Sequence, residues 1–189
     1  MTKEEALDIL KNGEKSEIRD AMEVLQAYPC EDVVSEIVNS VMKFKTKAII
    51  EMTKETLMGF KSIDSVVVSE CLRCFESDEP KVRAMAIEVI ASFWNDSVDY
   101  LDILVKNSDY NMRKYGIDVL ASVLTRKSLE NLILLLDDKN PNVKYSAIEA
   151  LAYFENYRDR ILEIFEDQLE KVNTSDMYGV ASIVQAIMK

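Results

Sequence analysis

Cys71 and Cys74, three residues apart in the stretch CLRC, are the first residues of this 189-residue sequence whose spacing alone suggests chemistry. A C-x-x-C pair supports disulfide exchange when one thiol sits at a helix start near a βαβ unit and is driven toward thiolate. It holds zinc when a second Cys or His pair completes the four ligands. Both companions are missing: no βαβ pattern surrounds the pair, Cys30 is the one other cysteine, and the chain has no histidine. The expectation is that both thiols pack as small hydrophobes beside Val67, Val68, Leu72 and Phe75. Three cysteines also fit a reducing compartment without a disulfide framework.

The absence of histidine reaches further. It removes the commonest general base and the commonest metal ligand, and with them the usual Ser-His-Asp and Cys-His nucleophile systems. The 34 carboxylates are scattered along helical faces, and no Gly-rich phosphate loop is present. No catalytic, cofactor-binding or metal-ligating residue is assigned, and no cofactor is expected. The formal net charge of −11 repels phosphate backbones and argues against nucleic acid as a partner. No run of apolar residues reaches the roughly 18 needed to cross a membrane. The start, MTKEEALDILKNGEK, is charged and lacks an apolar signal core, so the expected location is cytoplasmic.

The elements that carry these residues are helical throughout. Gly (4) and Pro (3) are scarce, and no segment alternates with period two. Thr2 and Glu5 have capping-box spacing, and Asn12-Gly13 is a stop signal. Caps and stops place about 12 short helices, among them about 16–28, 31–42, 45–58, 64–76, 80–94, 98–106, 110–124, 128–136, 141–155, 157–171 and 175–188.

Short helices in pairs prompt a search for internal repeats. KVRAMAIEVIAS begins at Lys81, NMRKYGIDVLAS at Asn111 and NVKYSAIEALAY at Asn142, starts that lie 30 and then 31 residues apart. The copies agree by physical role. Val82, Met112 and Val143 open the buried side; Arg83, Arg113 and Lys144 follow; Ala86, Gly116 and Ala147 permit close helix approach; Ile90, Leu120 and Leu151 close the apolar stripe. Each copy follows a turn with aspartate: Asp78, Asp109, and Asp137-Asp138. An aspartate there can hold the following basic residue or the first amides of the helix. Stacked copies align these residues into a structural ladder of Asp78, Arg83, Asp109, Arg113, Asp138 and Lys144.

The pattern of an Asp-bearing turn, a Val-Arg pair and a small-aliphatic run ending in Ala-Leu resembles HEAT repeats, in the short variety of about 30 residues found in phycobilisome-lyase-type proteins. SDEPKVRAMAIEVI, SDYNMRKYGIDVL and DDKNPNVKYSAIEAL carry it. The resemblance is clearest over 64–155 and degenerate over 1–63 and 156–189, where KFKTKAIIEM at 43–52 keeps Ala48 but lacks the Val-Arg pair. It implies an all-α fold, a right-handed α-α superhelix of about six helix pairs forming a single repeat domain over 1–189, with the second helix of each pair on the concave side. It also implies a non-enzymatic scaffold that binds another protein. Of the enzymes built on such repeats, the di-iron hydroxylases need His-Glu pairs, which this chain lacks, and DNA glycosylases need a basic groove. A bilin-lyase-type accessory protein is the alternative reading, and a nucleic-acid-binding one is less favoured.

Opposite the buried stripe, at helical spacing, each second helix turns a different set of residues outward. In the implied superhelix these form the partner-binding face: Glu88 in one helix, Lys114 and Asp118 in the next, Tyr145, Glu149 and Asn156 in the third. The acids, with alanines between them and Tyr145 as aromatic anchor, describe a shallow acidic track suited to a basic or helical segment of a protein partner.

Overall fold

The computed structural model describes residues 1–94, 100–171 and 176–188. Asn95, the expected end of one exposed stripe, and Val98 and Ser175, expected helix starts, lie outside them. Backbone packing groups the chain into two compact units, Met1–Asn95 and Asp96–Lys189. Every regular element among the described residues is helical.

The first unit holds three helix pairs: α1 (Lys3–Asn12) with α2 (Ile18–Leu25), α3 (Glu31–Phe44) with α4 (Lys47–Gly59), and α5 (Asp64–Arg73) with α6 (Pro80–Ser92). The first helices pack on one another in the order α1, α3, α5, and the second helices in the order α2, α4, α6. This two-layer stack is the unit of an α-solenoid, in which each pair buries its apolar stripe only against its neighbours. The local signals explain the ends. Thr2 Oγ1 accepts from the Glu5 amide at 3.2 Å while the Glu5 carboxylate accepts from the Thr2 amide at 2.8 Å, so α1 begins in a full capping box. Pro80 stands in the first turn of α6, where its missing N–H costs nothing.

The second unit repeats the plan with α7 (Tyr100–Val105) and α8 (Tyr110–Val123), α9 (Arg126–Leu135) and α10 (Pro141–Leu151), and α11 (Arg158–Lys171) and α12 (Met177–Ile187). Its second helices form the row α8, α10, α12. Gly116 shows why the repeat keeps a small residue there: a Cβ would stand 3.0 Å from that of Leu104 and 3.3 Å from Val105 Cγ1. Most of the buried stripe expected from the sequence is buried: Val82, Ala86, Ile90, Gly116, Leu120, Val143, Ala147 and Leu151 are inaccessible or nearly so, whereas Met112 is half-buried.

Cys71 and Cys74 are also buried. Burial pushes the Cys74 thiol up to about 12 and the Cys71 thiol well above its ordinary value, so both stay protonated. Their place at the C-terminal end of α5 is the reverse of the helix N-terminus that activates a C-x-x-C thiol.

Helices α2, α5 and α10 end earlier than their sequence patterns suggest, α5 giving way to a 3₁₀ turn at Cys74–Glu76. Helix α2 covers Ile18–Leu25: residues 14–17 close a turn in which the Glu17 carboxylate accepts from the Glu14 amide at 2.9 Å, which delays its start, and beyond Leu25 the Tyr28 amide turns to the Leu25 carbonyl. Helix α10 stops at Leu151, where Tyr153 and Phe154 turn their amides to the Ala150 and Leu151 carbonyls, and a short 3₁₀ turn, Glu155–Tyr157, follows.

Candidate functional site

Among the ladder residues, Arg113 and Asp138 link one repeat to the next, while Arg83 and Asp109 bond within their own copy. Arg113, in the first turn of α8, is 4% exposed. Its guanidinium donates from Nε and from Nη2 to the two Asp138 oxygens at 2.7 and 2.8 Å, and from Nη1 to the Asn107 and Ser108 carbonyls at 2.7 and 3.0 Å. This fork-on-fork geometry ties the turn before α8 to the turn before α10. Burial raises the Asp138 carboxyl, but hydrogen bonds from Arg113 and the Asn140 amide, together with the nearby cations, outweigh it and hold the carboxyl below its ordinary range.

The next link has the same direction and a different donor. Asp138 is already taken, and Lys144 makes no ion pair among the described residues; it lines a cavity of about 370 Å³ instead. Its neighbour Tyr145 donates to Asp176 at 2.7 Å and packs its ring on Tyr178 at 4.9 Å. Asp176 also caps α12 by accepting from the Gly179 amide at 2.9 Å. In the first unit Asp78 pairs with Lys45, a residue of the degenerate copy, and that pairing lowers its carboxyl. Arg83 turns away from Asp78 and donates to the Ser77 carbonyl at 2.6 Å. Asp109 caps its own helix through the Asn111 amide at 2.9 Å.

The outward face of the second helices carries the residues proposed to meet a partner. On α8 Lys114 is half-buried and Asp118 exposed; on α10 Tyr145 is half-buried and Glu149 exposed. Asp118 stays reachable by solvent yet sits among crowding neighbours, and this desolvation raises its carboxyl against the opposing pull of Lys114. Asn156 falls in the 3₁₀ turn beyond α10, so the helical stripe stops short of it. Tyr145 is not a free anchor, because its hydroxyl is committed to Asp176 and raised to about 12, first by that hydrogen bond.

Glu88, in the first unit, departs most from the acidic track. Lys54 on α4 lies between Glu51 at 2.9 Å and Glu88 at 3.1 Å, and both hydrogen bonds raise the ammonium pKa. The groove this bridge crosses also holds Lys47 and Lys81, so lysines outnumber acids there. The sequence signal was the departing copy KFKTKAIIEMTK, whose Lys54 has no counterpart in the later repeats.

No cluster of three or more His, Cys, Asp or Glu side chains is placed to hold a metal among the described residues, and none of their helices is long and apolar enough to cross a membrane.

A family profile for HEAT repeats matches residues 68–152 and again 99–176. The match is to HEAT repeats in general and does not single out the lyase-type variety. It reaches past the clearest sequence copies through α11 to Asp176, just before α12. No curated protein matches the chain. Among solved structures, an engineered protein aligns at 16% identity over 100% of this chain and 96% of its own, with a TM-score of 0.44. A computationally designed armadillo repeat protein for modular peptide recognition aligns at 14% identity over 96% and 98%, with a TM-score of 0.40. Another designed armadillo repeat protein aligns at 13% identity over 97% and 98%, with a TM-score of 0.42. These likenesses are too loose to build on.

Proposed function

We propose that this chain, which belongs to the HEAT-repeat family, acts as a non-enzymatic scaffold that binds another protein through the outward faces of its second helices. The observation that carries this reading is the division of labour on α8 and α10. The apolar, small and basic residues on which the copies agree are buried or half-buried, whereas the acid they share, Asp118 on α8 and Glu149 on α10, projects into solvent without an ion pair among the described residues. Side chains that packing does not require, at matching positions of adjacent helices, suit an extended interface. Two carboxylates in this row favour a basic or helical segment as the occupant.

The test uses the full chain and a fluorescein-labelled amphipathic lysine-leucine helix. Asp118→Lys combined with Glu149→Lys is expected to weaken binding at least about tenfold, since each reversal turns an attraction into a repulsion. The melting temperature should stay nearly unchanged, because both positions are exposed. Equal binding by the double variant and the wild type overturns the assignment of this face.

A further inference from the structure

The groove between α4 and α6 has the opposite charge preference. It encloses about 350 Å³, and its floor is apolar: Ile50 and Met85 are 4% and 2% exposed, with Ala84 at the lip. Its charges divide into two ends. At one end Glu51, Lys54 and Glu88 satisfy one another. At the other, Lys47 opens α4 and Lys81 stands in the first turn of α6, both exposed and neither in an ion pair among the described residues. The carboxylates in the adjoining turn are already engaged: Asp78 by Lys45, and Glu79 by the Lys81 backbone amide at 3.2 Å. Helix α4 has no acid in its first turn to offset its positive end, whereas the end of α6 is capped by Glu79.

This lysine pair is not part of the repeat pattern. At the position just before the first buried residue of the second helix, α6 has Lys81, whereas α8 has Asn111 and α10 has Asn142.

We infer that the α4–α6 groove is a docking site for an acidic segment of a protein partner, one that places an aliphatic side chain over Ile50 and Met85 and carboxylates between Lys47 and Lys81. The occupant is a peptide rather than a small anion, because the floor offers only apolar contact and the flexible thioether chain of Met85 adapts to varied side chains. A nucleic acid is disfavoured by the chain's net charge of −11 and by the lack of an aromatic stacking surface in the groove. The inference rests on the scaffold reading and assigns the first unit a partner chemistry distinct from that of α8 and α10.

The test titrates the full chain into a fluorescein-labelled peptide of two leucines flanked by glutamates. A lysine-flanked twin and a serine-for-leucine twin are run in parallel. The expected result is saturable binding of the glutamate-leucine peptide, weakened at least about tenfold in Lys47→Glu combined with Lys81→Glu, with amide chemical-shift changes in the wild type confined to 47–54 and 81–88. Unaltered affinity in the double variant, shifts elsewhere, or equal binding of the serine twin overturns the inference. If the glutamate-leucine peptide fails to bind while the lysine-leucine helix still binds at α8 and α10, this inference alone falls. If neither peptide binds, the scaffold reading falls with it.

Discussion

Arg113 donates four hydrogen bonds from a position almost closed to solvent, two to Asp138 and two to backbone carbonyls. Truncating it would leave a shielded carboxylate and two carbonyls without their donor, which is the costly way to break a buried pair. Arg113→Ala is expected to lower the stability of the chain by about 3 kcal/mol, read by urea denaturation at neutral pH. The pH dependence has a definite sign. The folded Asp138 carboxyl is held below its unfolded value of about 3.9, so its contribution is present above that pH and is lost as the pH falls through the folded pKa. The stability difference between wild type and Arg113→Ala should therefore be constant from pH 7 to about 5 and shrink below about 4. A gap that stays constant down to pH 2.5 would remove Asp138 from the account.

Asp138 and Asp176 act on the element as a whole, because each joins the start of one second helix to a donor on the preceding repeat. The α10–α12 link shows how much hangs on one group: Asp176 accepts from Tyr145 and also caps α12. Tyr145→Phe removes the cross-helix bond and leaves the cap; Asp176→Ala removes both. Amide exchange at Gly179 and Val180 is expected to quicken about fivefold in the first variant and more in the second, with the amides of α8 unaffected. Equal protection in the two variants would mean that the cap alone holds the helix. The sequence made most of this legible at the level of helices. The capping box of Thr2 and Glu5, the stop at Gly13, Pro80 and Pro141 in first turns, and the buried stripe all follow from local rules that act within about four residues. The pairing of the ladder was not legible, because it is set between repeats. Arg113 lies within reach of two turns bearing aspartate, Asp109 and Asp138, and only the stacking of α8 on α10 brings the second to the guanidinium fork. Tyr145 took the place of Lys144 for the same reason: one position along the helix decides which side chain faces the next turn, and type alone ranks the lysine first. Glu88 read as a free acid because its partner, Lys54, lies 34 residues away in the copy least like the others.

At the scale of the molecule the charge of −11 and the lysines of the α4–α6 groove act over different distances. Beyond about 8 Å at physiological salt an approaching polyanion meets only what is left of the net charge, and that is repulsive. Close in, Lys47 and Lys81 attract one or two carboxylates that fit between them. A sulfated or phosphate polymer binds by neutralising many charges at once and releasing counterions, on the order of 6–10 contacts for a typical DNA-binding protein. Two lysines in a groove cannot supply that, and the carboxylates around them oppose it. The full chain is therefore expected to pass through a heparin column at 0.15 M salt and to leave a labelled DNA duplex unshifted under the conditions in which the glutamate-leucine peptide binds. Heparin retention persisting above 0.3 M salt, and abolished by Lys47→Glu with Lys81→Glu, would mean that the groove reads polymer charge rather than a short acidic segment, because an isolated two-lysine contact loses most of its hold over that range of salt.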